Sequence, residues 1–227
     1  MTMKKLIIIA ITISSLIIIG YHGLDYFHFK KIFKKQSVKL ESEFLNNELE
    51  NGDIIFQTSK SRQSMAIQLA TNSKYSHMGI IYKRKGKLFV YEAVQPVKLT
   101  PLKEWIMRGE KMHFVVKRIK NSEKILTRET LEKLINAGEK YKGKNYDIHF
   151  EWSDEKIYCS ELVWKMYKEA TGIEIGKLQK LSEFDLSNEL VKKIMKERYG
   201  ENIPIDEIVI SPISMFNAEN LKTILEN

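Results

Sequence analysis

Cysteine is nearly absent from this chain of 227 residues, which contains a single one, Cys159. A lone thiol cannot close an internal disulfide, and it cannot build a cysteine-based zinc site. A chain with one thiol also needs no oxidising compartment. The two roles left for Cys159 are those of a small buried side chain and of a nucleophile.

Other signatures of ligand sites are missing too. The chain has no glycine-rich loop of the GxG type that cradles phosphates. Its five histidines do not stand three or four residues from one another or from a carboxylate cluster. The sequence therefore predicts neither a cofactor nor a metal ion.

The positive charge is concentrated at one end of the chain. Residues 1–40 contain seven lysines and one acid, and so carry +6 of the net charge of +8. The remainder is almost balanced, which argues against a basic nucleic-acid-binding face. A basic stem beside anionic lipid headgroups explains this distribution better.

The N-terminus supports a membrane location. Residues 6–19 are aliphatic apart from Thr and Ser, and Lys4 and Lys5 precede them. A span needs about 20 residues, which continuation to residue 27 would supply. Because no small-x-small cleavage site follows and no cysteine is present for lipidation, an uncleaved anchor is favoured over a signal peptide. We predict an anchor or signal over 1–27, a stem over 28–50 and a folded domain over 51–227.

That domain is predicted to lie outside the cytoplasm, and to be secreted if the N-terminal segment is cleaved. The lysines on the two sides of the apolar run give opposing orientation signals. The oligomeric state is not predicted.

The domain mixes strands and helices without a regular alternation, which indicates the α+β class. Periodicity and turn signals predict strands over 77–83 and 88–93, joined as a hairpin, and over 112–119 and 208–210. They predict helices over 61–70, 127–141, 158–171 and 182–199, and a terminal helix from about residue 218.

Cys159 stands at the start of one of these helices, where unpaired N–H groups and the helix dipole stabilise a thiolate. The apolar stripe of that helix turns the thiol inward. Glu161 is an objection, because a carboxylate two residues away opposes a thiolate, although at that spacing it should point elsewhere.

A cysteine nucleophile needs a base, and the base needs an orienting group. A two-residue turn at Lys85-Gly86 pairs Gly79 with Glu92, which puts His77 and Glu92 on one face of the hairpin. A slip of one residue would separate them. Glu92 follows an all-apolar run and requires a partner if it is buried. This pattern predicts Cys159 as nucleophile, His77 as base and acid, and Glu92 as orienter.

Purely structural roles for Cys159 and His77 remain open at this point. Taken alone, Cys159 is more often a small buried hydrophobe, and His77 a strand histidine with a satisfied hydrogen bond. The shared face and the misplaced Glu92 bring the two interpretations to equal weight.

Four segments together resemble a known family: Asn51-Gly52-Asp53-Ile54-Ile55-Phe56, Ser76-His77-Met78-Gly79-Ile80, Val90-Tyr91-Glu92-Ala93 and Tyr158-Cys159-Ser160-Glu161-Leu162-Val163-Trp164. In order and spacing they are similar to the permuted papain-like NlpC-type hydrolases, YiiX-like branch. The resemblance implies a circularly permuted papain-like fold, with an antiparallel sheet packed against helices. It places the family's catalytic residues on His77, Glu92 and Cys159, and makes Tyr158 a supporting residue near the oxyanion site.

Relatives of this kind act on amide, ester or thioester bonds, among them cell-wall peptide hydrolases and, more distantly, lecithin:retinol-type acyltransferases. We therefore predict a cysteine hydrolase or amidase that works through an acyl-enzyme on an acyl, peptide or lipid-like substrate. The alternatives are a lipid-directed acyltransferase or lipase on the same site, and an inactive membrane-anchored binding module. An apolar groove leading to Cys159 would favour lipid, and a polar cleft would favour peptide.

Overall fold

The structure, a computed structural model, describes residues 44–227. The predicted anchor and most of the predicted stem lie outside these described residues. None of the helices in residues 44–227 combines the length and the apolar character that a bilayer crossing requires. Residues Glu48–Asn227 form one compact unit.

An antiparallel sheet of six strands forms the centre of this unit. The strands are β1 (Ile54–Gln57), β2 (His77–Arg84), β3 (Lys87–Glu92), β4 (Lys98–Pro101), β5 (Val115–Ile119) and β8 (Leu221–Glu226). Their order in the sheet is β4-β3-β2-β1-β5-β8. A separate pair is formed by β6 (Gln179–Lys180) and β7 (Ile208–Val209).

Helices cover the sheet and build a second, smaller core beside it. They are α1 (Arg62–Thr71), α2 (Leu102–Arg108), α3 (Ser122–Ile125), α4 (Arg128–Glu139), α5 (Cys159–Thr171), α6 (Glu189–Tyr199) and α7 (Pro212–Phe216). Helix α5 packs between β2 and α4, with nine of its side chains buried. The second core lies between α1 and α6. The α+β class with an antiparallel sheet packed against helices is confirmed.

The predicted hairpin register is confirmed. Arg84 pairs with Lys87 across the turn, and Ile81 pairs with Val90. Gly79 is required at its position, because a Cβ there would lie 2.4 Å from Val90 Cγ1 and 2.7 Å from the Tyr91 carbonyl oxygen. The pairing therefore places His77 and Glu92 on one face, as predicted.

Two helix predictions are wrong in part or entirely. The helix predicted over 182–199 begins only at Glu189, because the Asp185 carboxylate accepts hydrogen bonds from the Ser187 backbone and hydroxyl, at 2.9 and 2.6 Å. Such local side-chain bonds compete with helix formation. Asn188 then caps the real helix, accepting from the Leu190 N–H at 2.9 Å.

The C-terminal residues form a strand rather than the predicted helix. Ala, Glu, Leu and Lys in this segment favour a helix, but β8 instead completes the edge of the sheet beside β5. The β5 strand itself begins at Val115, later than predicted, because Glu110–Met112 form a 3₁₀ turn. Tertiary pairing overrides local propensity at both places.

Candidate active site

Cys159 is the first residue of α5, and Tyr158 before it has the extended backbone of an N-cap. The Cys159 side chain is 2% exposed. The residues predicted as the core-facing stripe of this helix are all buried: Leu162, Val163, Met166, Tyr167 and Ala170. They hold the helix against the sheet, so that its N-terminal end lies beside the start of β2.

The nearby Glu161 turns away from the thiol, as expected. Its Oε1 lies 2.8 Å from the Lys165 Nζ, and its Oε2 accepts from the Tyr158 N–H at 3.4 Å. Burial raises the pKa of Glu161 to about 8 against these opposing contacts. This carboxyl group is thus engaged along its own helix.

His77 and Glu92 are joined directly. His77 Nε2 lies 2.6 Å from Glu92 Oε2, and both side chains are buried. The Trp105 ring stacks on the imidazole, with centroids 5.9 Å apart and an interplanar angle of 26°. The carboxylate and the indole together fix the orientation of the imidazole ring.

Glu92 has two further partners that the sequence analysis missed. The Thr100 hydroxyl donates to Glu92 Oε1 at 2.5 Å, and the Arg108 guanidinium forms an ion pair with the same oxygen. Burial alone would raise the pKa of Glu92, but the bond to His77 and these two contacts lower it to about 2. The carboxylate is therefore ionised although it is fully buried. The strand that carries Thr100 gave no alternating pattern from which it could be predicted.

The Cys159 side chain lies close enough to the His77 ring to raise the pKa of the imidazole. Because Nε2 faces Glu92, the other ring nitrogen, Nδ1, is the one available to the sulfur. Burial alone would lower the pKa of His77, but the interactions with Cys159 and Glu92 outweigh it and raise the pKa to about 9. Sulfur, imidazole and carboxylate thus meet in one chain of contacts.

Two tyrosines near Cys159, Tyr158 and Tyr146, are the candidate hydrogen-bond donors to an oxyanion. The Tyr158 hydroxyl accepts from the Ile210 N–H at 3.1 Å, which ties it to the wall around α5. The Tyr146 hydroxyl accepts from Gln63 Nε2 at 2.9 Å. Burial, and next the nearby charge of Cys159, raise the pKa of Tyr146 well above its ordinary value. A protonated phenol therefore lies close to the sulfur.

Tyr146 was not predicted as a site residue. Its position depends on a relay of hydrogen bonds from α6, because Arg198 Nη2 donates to Gln63 Oε1 at 2.9 Å and so fixes which end of the amide faces Tyr146. These three residues are far apart in the sequence. Only the packing of α1 on α6 brings them together.

The other histidines do not join this cluster. His113 Nδ1 lies 2.5 Å from the backbone oxygen of Asn227. The His149 ring packs edge-on against Tyr199. His22 and His28 lie outside the described residues. Among residues 44–227, no group of His, Cys, Asp and Glu side chains is arranged to hold a metal ion.

Two cavities border the cluster. The first, which we call the apolar slot, has a volume of about 90 Å³ and reaches Cys159. Its walls are almost entirely apolar atoms of α1, of the segment 181–186 and of α6, including Ala66, Ala70, Val191 and Ile194. Cavities of this character stay dry and accept apolar ligands.

The second cavity, the polar groove, has a volume of about 680 Å³ and reaches His77. Four serines, three glutamines and the cationic side chains of Lys60 and Arg108 line it. His77 does not line the slot and Cys159 does not line the groove, whereas Gln63, Ile67 and Tyr146 line both cavities. The cluster therefore stands between an apolar cavity and a wider one that polar and cationic side chains line among apolar surface.

Two known proteins are similar to this chain over most of its length. YiiX of Escherichia coli strain K12, described as an uncharacterized protein, is 51% identical over 175 residues, which are 77% of this chain and 85% of YiiX. The crystal structure titled metalloprotein YiiX from Escherichia coli O157:H7 is 52% identical. It covers 79% of this chain and 98% of its own, with a TM-score of 0.76.

The family described as permuted papain-like amidase enzymes, YaeF/YiiX, C92, matches residues 48–225. This range takes in β1 to β7, all but the last residue of β8, and the cluster of Cys159, His77 and Glu92. The chain therefore belongs to the YaeF/YiiX, C92 family of permuted papain-like amidases.

Proposed function

We propose that this protein is a cysteine hydrolase that cleaves an amide, ester or thioester bond, with Cys159 as nucleophile, His77 as base and acid, and Glu92 as the group that orients His77. The hydrogen bond between Glu92 and His77, with Cys159 near enough to raise the pKa of His77, is the observation that carries the proposal. A nucleophile, a base and an orienter within hydrogen-bond reach are the signature of this chemistry.

The Cys159 sulfur gives its proton to His77 Nδ1 before the substrate is attacked, and the raised pKa of His77 favours the resulting thiolate–imidazolium pair. The thiolate attacks the acyl carbon, and the carbonyl electrons move to its oxygen. His77 then gives the proton to the leaving nitrogen, oxygen or sulfur as the bond to the acyl carbon breaks. A water molecule, deprotonated by His77, attacks the thioester that remains, and Cys159 leaves and is reprotonated.

The negative oxygen of the tetrahedral intermediate needs donors. The N–H of Cys159 has no carbonyl partner within α5, since it belongs to the first turn. The Tyr146 hydroxyl accepts from Gln63, which leaves its own hydrogen to donate. We assign these two groups to the oxyanion, and Tyr158 to the support of the wall behind Cys159.

The apolar slot favours a substrate with an aliphatic acyl chain. The acyl group stays on the sulfur while the leaving group departs past His77, so the acyl group belongs in the cavity that Cys159 lines. Burial of each additional CH₂ contributes about 0.8 kcal/mol, or a factor of about four in kcat/KM. Among the alternatives, a lipid-directed hydrolase or acyltransferase is thus favoured over a peptidase.

Chain-length dependence tests this assignment. In a series of acyl thioesters from acetyl to dodecanoyl, kcat/KM should climb with each added methylene until the slot is filled. Replacing Ala70 in the slot wall by Phe should move that plateau to shorter chains. A flat series would contradict the aliphatic substrate.

Thiol labelling separates an enzyme from an inactive binding module. Alkylation of Cys159 by iodoacetamide should be rapid in the wild type and at least ten times slower in His77→Ala, measured by mass spectrometry under native conditions. His113→Ala, which alters a histidine outside the cluster, is the matched control and should label like the wild type. Equally slow labelling in all three proteins would favour the binding module.

A further inference from the structure

Cationic side chains line the polar groove, and the proposed reaction assigns no role to them. Lys60 and Arg108 line it, and none of its lining residues in the described part of the chain is an Asp or a Glu. Arg108 forms an ion pair with the buried Glu92, but its side chain is still 44% exposed. Lys60 is exposed and stands just before the N-terminus of α1. The groove therefore carries net positive charge beside His77.

The serines of the groove form hydrogen bonds with one another and with the backbone, so these bonds occupy their hydroxyl groups. Ser64 Oγ lies 2.5 Å from Ser76 Oγ and donates to the Ser59 carbonyl at 2.6 Å. The Ser59 N–H donates in turn to Ser76 Oγ at 3.1 Å. These hydrogen bonds fix the backbone on either side of Lys60, which lies at the rim of the groove.

Gln57 contributes a buried polar side chain to the wall of the groove. It is the register partner of His77 across β1 and β2, so both side chains point to the same face of the sheet. Gln57 is 1% exposed, lines the groove, and its Oε1 has no hydrogen-bond partner among the described residues. That oxygen is buried against Gly109, so it belongs to the wall of the groove and not to its ligand-facing surface.

The direction of the reaction decides which part of the substrate enters the groove. His77 protonates the leaving group, so the leaving group must lie on the His77 side of the scissile bond. The cavity that His77 lines is the polar groove. The acyl chain is assigned to the other cavity, which Cys159 lines.

We propose that the polar groove binds the leaving group of the substrate, and that this leaving group is a polar alcohol or amine that carries an anion. The substrate is then an aliphatic acyl ester or amide of a hydroxyl or amino compound bearing a phosphate or a carboxylate. This inference rests on the proposed function, since it takes the direction of cleavage from it. Lys60 acts as a specificity-determining residue through its charge.

Matched substrate pairs test the inference in the full chain, below the critical micelle concentration. One pair is 1-lauroyl-glycerol-3-phosphate and 1-lauroyl-glycerol, and the other is N-lauroylglycine and N-lauroylglycinamide. In at least one pair the anionic member should have the higher kcat/KM, by about fivefold for one partly exposed charge pair. The pair that shows the preference identifies phosphate or carboxylate as the anion.

Charge variants assign that preference to the groove. Lys60→Gln should remove most of it, and 0.5 M NaCl should weaken it in the wild type because salt screens exposed charges. Lys87→Gln, an exposed lysine at the hairpin, is the control and should keep the wild-type ratio. An equal ratio in Lys60→Gln and wild type would overturn the assignment to the groove.

Failure of the inference and failure of the proposed function give different results. If the neutral substrates are cleaved as fast as the anionic ones, the anionic leaving group is wrong and the hydrolase proposal stands. If no substrate is cleaved although iodoacetamide labels Cys159 rapidly, the aliphatic acyl assignment is wrong and this inference falls with it. If Cys159 does not label, the hydrolase itself is contradicted.

Discussion

At the scale of single residues, the most informative side chain is Glu92. A fully buried carboxylate is costly unless it is paired, and here three donors from β2, β4 and α2 share its two oxygens. Its position after an apolar run was enough to predict a partner. The identity of His77 as that partner required the hairpin register, and Thr100 and Arg108 required the tertiary fold.

The variant Glu92→Gln should lower kcat by about 10²-fold or more while the protein still folds, because the neutral amide no longer stabilises the imidazolium of His77. Unfolding in urea should show a loss of about 1–3 kcal/mol from the disrupted buried network. Glu104→Gln, an exposed acid on α2, is the control and should change neither value. Wild-type turnover in Glu92→Gln would remove Glu92 from the mechanism.

The same pair makes stability depend on pH in a predictable direction. The pKa of His77 is raised from 6.5 to about 9, so its contribution to stability is complete below pH 6.5 and is lost as the pH rises through 9. The pKa of Glu92 is lowered from 4.5 to about 2, so its contribution is present above pH 4.5 and is lost toward pH 2. The free energy of unfolding of the wild type minus that of His77→Gln should therefore be larger at pH 5.5 than at pH 9.5. A difference that grows with pH would contradict the assigned ion pair.

At the scale of elements, the β2–β3 hairpin sets the geometry of the site. Its register was predictable because the turn residues and the apolar alternation agree on one pairing, and a slip would expose the buried face. Helix α5 was predictable from its apolar stripe and from Gly172 at its end, which adopts a left-handed backbone. Both elements carry strong local signals.

The elements that were mispredicted carry weak or conflicting local signals. Residues 218–227 have helix-forming composition, and only the unpaired edge of β5 draws them into a strand. The relay of Arg198, Gln63 and Tyr146 joins α6, α1 and the loop before α5, and no spacing in the sequence connects them. What depends on long-range packing could not be predicted from one sequence.

Gly79 tests whether the hairpin positions the catalytic groups. Gly79→Ala should destabilise the protein by about 1–3 kcal/mol and lower kcat, because the added methyl group meets Val90 and the Tyr91 backbone under His77 and Glu92. Gly86→Ala at the turn is the control, since its Cβ would enter open space and cost only backbone strain at positive φ. It should be milder in urea unfolding and leave kcat unchanged. Equal effects of the two variants would contradict the positioning role.

At the scale of the whole molecule, one compact unit from Glu48 to Asn227 joins a sheet, an apolar slot and a polar groove at a single cluster. A substrate with an aliphatic acyl chain and a polar leaving group matches this division. The predicted N-terminal anchor and basic stem would bring such an enzyme to a lipid surface. The anchor and most of the stem lie outside the described residues, and the membrane location stays a prediction.

Vesicle flotation checks that prediction with the full chain. The protein should float with vesicles that contain anionic lipid and remain bound in 1 M NaCl, because an apolar segment is not displaced by salt. A variant with Gln at positions 30, 31, 34 and 35 should bind neutral vesicles as well as the wild type does. Complete release by salt would show that charge alone holds the protein and would contradict the anchor.

The central claim is that Cys159 carries the acyl group during turnover. Rapid acid quench of the full chain mixed with a lauroyl thioester, followed by peptide mass spectrometry, measures this directly. We predict a lauroyl group on the peptide that contains Cys159, its accumulation and decay during turnover, and its absence in Cys159→Ala. Hydrolysis by Cys159→Ala at the wild-type rate, or turnover with no acylated Cys159, would contradict it.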